Sequence, residues 1–244
     1  MNLKGLPALL WGGGSPKPWQ TRAWQAGQMT IQDPGSMLAG IILDPQPGDS
    51  VLDLCAAPGG KTGHLWERML GKGNLVALEV NSGRRDGILK EDLGRLYGQG
   101  HPIRMPAIDS LDQFDPGMAF GRVLIDSPCL GLGLISRHPE SRWDNRVRKM
   151  DMMRQQQTRI LDHGSRHVGE SGRLLWVTCS PTLEENEGVI VTWLDRNPGF
   201  RIVKNILVAE ELMHSACDLD DGFLRTRPDR FPGDGFCMVL LERS

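Results

Sequence analysis

From residue 51 the chain alternates short, nearly continuous apolar runs with longer stretches whose apolar positions recur every three or four residues. The uninterrupted runs predict strands buried on both faces, at 51–54, 75–80, 103–108, 122–125, 173–177 and 236–241. The helical periodicity predicts helices near 62–70, 82–97, 146–168 and 183–195. Strand and helix patterns in alternation predict an α/β domain with a mostly parallel sheet and helices on both faces. Residues 1–27 break this pattern, being rich in Gly, Pro and Trp (Trp11, Trp19, Trp24). They predict an irregular arm tacked by its aromatic side chains onto a domain spanning 28–244.

With 244 residues and 24% charged content, the chain is long enough for one well-filled core. A formal net charge of -2 excludes a protein that grips polyanions by bulk electrostatics, leaving room for a local basic patch. Five unevenly spaced cysteines and a start without a secretory apolar segment predict free thiols in a reduced, cytoplasmic protein. No apolar run approaches the roughly 20 residues of a membrane span.

The candidate chemistry lies where predicted strands end, because ligands of open α/β sheets bind beyond the carboxyl ends of the strands. After the first strand comes Leu54-Cys55-Ala56-Ala57-Pro58-Gly59-Gly60-Lys61-Thr62. It is no phosphate loop, since Cys55 stands where a Walker A sequence needs Gly, and the dinucleotide pattern G-x-G-x-x-G is absent. A small-residue turn opening a helix instead suits a nucleoside ligand without pyrophosphate, such as S-adenosylmethionine. Glu79, at the end of the second strand, is placed to accept ribose hydroxyls, and Asp109, after the third, to take an adenine amino group.

Two cysteines close the next strands: Cys129 in Ile125-Asp126-Ser127-Pro128-Cys129 and Cys179 in Trp176-Val177-Thr178-Cys179-Ser180. Both thiols are expected to face one cleft. A thiolate aimed at a planar ring is what methylation of a pyrimidine carbon 5 requires, because that atom becomes nucleophilic only after carbon 6 is attacked. Cys217 and Cys237 read as buried packing residues, as does the side chain of Cys55. His163 and His167 stand four apart on a predicted helix without a further ligand motif, so no metal site is expected.

Four ordered strings carry a family resemblance: residues 51–62, Asp126-Ser127-Pro128-Cys129, residues 137–143 (Arg137 to Trp143), and residues 178–187 (Thr178 to Glu187). They resemble the RNA cytosine-5 methyltransferases, most of all the bacterial 16S ribosomal RNA enzymes of the Fmu (RsmB) type. The similarity runs from about Gln28 to Gly233-Asp234-Gly235-Phe236 in the last strand. The resemblance implies a Rossmann-like S-adenosylmethionine-dependent methyltransferase fold with a seven-stranded sheet, and RNA, ribosomal RNA above all, as partner. It implies cofactor contacts from Cys55, Ala56, Ala57, Pro58, Gly59, Gly60 and Lys61 and from Glu79, Asp109 and Asp126. Asp126 is also implied to face the pyrimidine, Cys179 to be the nucleophile, and Cys129 to assist product release. Lys61 is expected to support Asp126 electrostatically. The order of the two cysteines rests on the resemblance, not on their spacing, for DNA cytosine-5 methyltransferases use the Pro-Cys thiol.

Two basic clusters are candidate RNA contacts: six cations between Arg137 and Arg154, and Arg225, Arg227 and Arg230. The sequence departs from the family in lacking the helical RNA-binding and small α/β domains before the catalytic one, so a protein partner is expected to bring RNA. It also departs at Leu130, where the family carries a hydroxyl residue, and in Cys237-Met238 of the last strand, where a second aromatic is usual. The first two departures keep a second reading open, a methyltransferase of a small nucleoside-like or other ring metabolite. A non-catalytic RNA-binding module of the same fold is opposed by the intact cofactor turn, acids and cysteines.

Overall fold

The computed structural model describes residues 16–143, 148–206, 217–230 and 233–244. Eight strands form one sheet: β1 (Ser50–Asp53), β2 (Asn74–Ala77), β3 (Phe120–Asp126), β4 (Val168–Thr178), β5 (Phe200–Ile202), β6 (Cys217–Asp220), β7 (Phe223–Thr226) and β8 (Cys237–Arg243). The order is β2-β1-β3-β4-β8-β7-β6, with β5 also paired to β8. Four strands, β2, β1, β3 and β4, run parallel. From β8 outward every pairing is antiparallel, including that of β8 with β4.

Side chains of successive strand residues point to opposite faces, and the parallel strands fill two cores accordingly. Val51, Leu75, Leu124 and Leu175 lie in one core with Leu38, Leu65 and Trp66. Leu52, Val76, Val123 and Trp176 lie in the other with Leu161, Ile190 and Trp193. The first face is covered by α2 (Pro34–Leu43), α3 (Gly60–Arg68) and α5 (Lys90–Tyr97), the second by α6 (Met150–Arg166) and α7 (Glu187–Leu194). Trp193 of α7 ties the outer pair together by donating Nε1–H to Asp162 Oδ1 at 2.8 Å.

Three differences from the sequence reading have local causes. The strand expected at 103–108 shrinks to one bridge, Val76 with Arg104, because Pro102 and Pro106 flank it without ladder donors. The helix expected at 82–97 is broken into α4 (Ser82–Arg84), a π turn (Arg85–Leu89) and α5. That turn brings the guanidinium of Arg85 inward, where Nη1 donates to Ile108 O at 2.6 Å. The helix expected at 146–168 starts at Met150, while residues 144–147, with Arg146, lie outside the described residues.

The arm is not wholly irregular: a turn at Pro18–Gln20 leads into α1 (Arg22–Gln25), capped by Thr21. Trp24 packs on the domain, its ring centre 3.7 Å from the Arg95 guanidinium. Arg95 also donates to Trp24 O and Met29 O at 3.1 and 2.9 Å. Trp19 stays half exposed, and Trp11 lies outside the described residues.

Candidate active site

The carboxyl ends of β1, β2, β3 and β4 open onto a cavity of about 830 Å3. Of the residues expected at a site, Cys55, Ala57, Glu79, Asp109, Asp126, Cys129 and Cys179 line it. Ala56 does not: it is buried beneath the turn and donates N–H to Leu78 O at 2.9 Å. Pro58 is exposed, and Gly59 and Gly60 lead into α3. Gly59 turns the chain with φ 114°, a conformation open to glycine and strained for other residues. Burial pushes the Cys55 thiol far up, which fits a packing role.

Under the turn sits Asp53, fully buried, its Oδ2 accepting from Thr62 Oγ1 at 2.7 Å. Burial lifts this carboxyl to about 7. Glu79 is 5% exposed. Its Oε1 accepts from Asn81 N at 3.0 Å, and Oε2 lies 3.4 Å from Arg84 Nη1. Arg84 also donates to Ala57 O at 2.6 Å, joining the acid to the turn. Asp109 is largely exposed, with Arg85 3.9 Å away.

On the other side of the cavity β3 and β4 are neighbours in register, Asp126 opposite Val177, so the segments leaving them carry Cys129 and Cys179 together. The sulfurs are 2.9 Å apart, and Cys179 N donates to Cys129 Sγ at 3.3 Å. At this distance the two thiols are hydrogen-bonded, and their surroundings push them in opposite directions. The hydrogen bond from Cys129, with Lys61 nearby, holds Cys179 below the ordinary thiol range against burial and Asp126. The same bond and burial drive Cys129 well above it. Lys61 Nζ, mostly buried, donates to Asp126 Oδ2 at 2.8 Å and lies 5.1 Å from the Phe236 ring centre.

Residues not foreseen hold the two thiol loops. Glu185, fully buried, accepts from Leu130 N at 2.9 Å and from Gln157 Nε2 at 3.0 Å. Gln157 also donates to Pro128 O at 3.0 Å, so the peptides on both sides of Cys129 are bound. Asn186 closes the loop after Cys179 by donating to Ser180 O and Thr182 O at 2.9 and 2.7 Å. For Glu185 and Asn186 the signal is their place in the string 178–187 that carries the resemblance; for Gln157 the sequence holds none.

Arg137 of the first basic cluster and all three arginines of the second are paired with acids within the fold. Arg137 pairs with Asp33 and Asp234 at 2.9 and 2.8 Å, joining the segment before α2 to the loop before β8. Arg225 pairs with Glu187, Arg227 with Asp218 and Asp229, and Arg230 with the same two acids. His163 meets Asp112 at 3.0 Å. Among the described residues no helix is long and apolar enough to cross a membrane.

Known proteins resemble this chain in sequence and fold. The ribosomal RNA small subunit methyltransferase B of Enterobacter sp. (strain 638) is 36% identical over 237 residues, 94% of this chain and 51% of its own length. The probable enzyme of the same description from Bacillus subtilis (strain 168) is 32% identical over 226 residues, 92% of this chain and 50% of its own length. The chain thus spans about half the length of the curated relatives it matches. The solved structure of NSun6 from Pyrococcus horikoshii with SFG superposes with TM-score 0.80 at 24% identity, covering 93% of this chain and 56% of that one, and supports the Rossmann-like methyltransferase fold. The family described as 16S rRNA methyltransferase RsmB/F matches residues 40–242, and with relatives above 30% identity over nearly all of its length the chain belongs to that family.

Proposed function

We propose that the chain transfers a methyl group from S-adenosylmethionine to carbon 5 of a cytosine in small-subunit ribosomal RNA, through a covalent bond between Cys179 and carbon 6. The observation that carries this reading is the pair of thiols, 2.9 Å apart, beside the Lys61–Asp126 pair at the cavity. A separate protein partner brings the RNA.

The residues fit the cofactor. The cavity is within the roughly 300 to 1,000 Å3 of small-molecule sites, and its walls offer backbone and small side chains at Cys55 and Ala57. Glu79, nearly buried and held by Asn81 and Arg84, is the acid for the ribose hydroxyls, and Asp109 that for the adenine amino group. Bound there, S-adenosylmethionine supplies an electrophilic methyl group.

The chain's own residues do the rest. The Cys179 thiolate adds to carbon 6, and electron density moves to carbon 5, which becomes the nucleophile. Asp126, fixed by Lys61, hydrogen-bonds the N3/N4 edge of the base and stabilises the charge that builds there. Carbon 5 takes the methyl group from the sulfonium, which leaves as a neutral thioether. The carbon-5 proton then passes to a base, its electron pair re-forms the double bond between carbons 5 and 6, and Cys179 leaves as thiolate, with Cys129 placed to assist. The base must leave its stack to meet Cys179.

Incubation with methyl-labelled S-adenosylmethionine and unmodified small-subunit RNA is expected to yield labelled 5-methylcytidine on digestion, and none from free cytidine. Label on free cytidine, or on another nucleoside, refutes the reading. Glu79→Ala is expected to weaken cofactor binding by about 1 to 3 kcal/mol, roughly five- to a hundredfold in Kd. Calorimetry on the folded variant checks it, and unchanged affinity removes Glu79 from the site.

A further inference from the structure

Glu185 is fully buried, and among the described residues no cation pairs with it. Its carboxylate is met by three neutral donors: Leu130 N and Gln157 Nε2 on Oε1, at 2.9 and 3.0 Å, and Thr182 Oγ1 on Oε2 at 3.3 Å. A buried charge served only by neutral groups is costly. A glutamine could make the same bonds, its Oε1 accepting from Leu130 and Gln157 and its amide donating to the Thr182 hydroxyl. Fastening the loops therefore accounts for a polar side chain here but not for its charge.

The position of the charge does account for it. Leu130 follows Cys129 directly, and Gln157 also binds the carbonyl of Pro128 before it, so the carboxylate lies beneath the Cys129 loop. The charges beside Cys179 are of another kind, Lys61 and Asp126 bonded to each other. A negative charge on the Cys129 side opposes ionisation of Cys129 more than of Cys179. We infer that Glu185 is a positioning residue whose buried charge keeps the shared proton of the thiol pair on Cys129, leaving Cys179 as the thiolate. This rests on Cys179 being the attacking thiol. It also gives a reason for the different fates of two cysteines on adjacent, similar loops.

The test reads the thiols without RNA or cofactor. Limiting iodoacetamide near neutral pH, followed by peptide mass spectrometry, measures alkylation of Cys179 against Cys129. Wild-type protein is expected to favour Cys179 strongly. In E185Q, which can keep every hydrogen bond, the ratio is expected to fall roughly five- to tenfold, as for a partly screened charge at short range. Thr182→Ala, which loosens the carboxylate but keeps its charge, is expected to retain the wild-type ratio. An unchanged ratio in folded E185Q overturns the inference, as does a fall in Thr182→Ala without one in E185Q. Should E185Q fail to fold, the wild-type ratio decides, and equal labelling of the two cysteines overturns the inference. Methylation of RNA with an unchanged E185Q ratio removes the inference alone. A shifted ratio in a protein that leaves cytosine unmethylated removes the proposed function alone.

Discussion

Cys129→Ala protein is expected to remain covalently attached to its RNA, whereas Cys179→Ala protein forms neither product nor adduct. With Cys179 gone the first bond cannot form, and turnover should fall by about four to six orders of magnitude, the usual cost of deleting a nucleophile. With Cys129 gone addition and methylation proceed while expulsion of Cys179 stalls, so a slow band accumulates on a denaturing gel. The structure adds a pH dependence. The hydrogen bond with Cys129 is what holds Cys179 below the ordinary thiol range. Without it burial and Asp126 raise the Cys179 thiol, so a smaller fraction is thiolate at neutral pH. The adduct of Cys129→Ala should form slowly at neutral pH and faster as the pH rises. The double variant should show no band. An adduct that survives in Cys179→Ala and vanishes in Cys129→Ala assigns the roles the other way round. Methylation unchanged in both variants excludes a covalent route.

What was legible in the sequence was whatever hydrophobic continuity and strand ends dictate. The parallel half of the sheet reads as runs such as Val123-Leu124-Ile125 and Leu174-Leu175-Trp176, because strands covered on both faces have no polar side. The meeting of Cys129 and Cys179 follows, since both leave neighbouring strands in register. The antiparallel half was mostly hidden. β6, Cys217-Asp218-Leu219-Asp220, exposes three of its four residues at the sheet edge, and such a strand has no apolar alternation to find. Helix α2 went unread although Asp33 and Pro34 form an ordinary start signal, a cap followed by proline in the first turn. Its glycines and a proline diluted the helical pattern.

The pairing of the second basic cluster and the burial of Glu185 were illegible for a common reason. A count of charges says nothing about partners: Arg227 and Arg230 look like a phosphate grip until Asp218 and Asp229 are seen beside them. Among Glu184, Glu185 and Glu187, sequence alone does not mark the one that is fully buried. Placing that acid against Leu130 and Gln157 takes contacts 55 and 28 residues apart. Local pattern therefore located the cleft, and long-range contacts revealed what orders it.

Gly133→Ala should cost the protein both stability and activity. Gly133 lies four residues beyond Cys129, where its N–H donates to Cys179 O at 2.9 Å and its carbonyl accepts from Gly235 N at 2.9 Å. Three loops thus meet at one glycine. A Cβ there would lie 1.9 Å from Gly235 O and 2.9 Å from Cys179 O, both backbone atoms with no side-chain rotation to relieve the clash. Relief requires the Cys129 loop to withdraw from the Cys179 loop, and overpacking of this kind costs about 3 kcal/mol. For a chain of this size that is a fall in Tm of roughly 6 to 12 °C. Because the clash points at the carbonyl of Cys179 itself, the sulfur separation of 2.9 Å should also open. Methyl transfer is then expected to fall by about two orders of magnitude even below the lowered Tm, as for small misplacements of reacting groups. Gly100→Ala, where an added Cβ meets nothing within 4 Å, should leave both properties unchanged. Calorimetric melting and the RNA assay measure the two effects together, and a Gly133→Ala protein that melts and methylates like wild type would mean that the three loops do not meet as described.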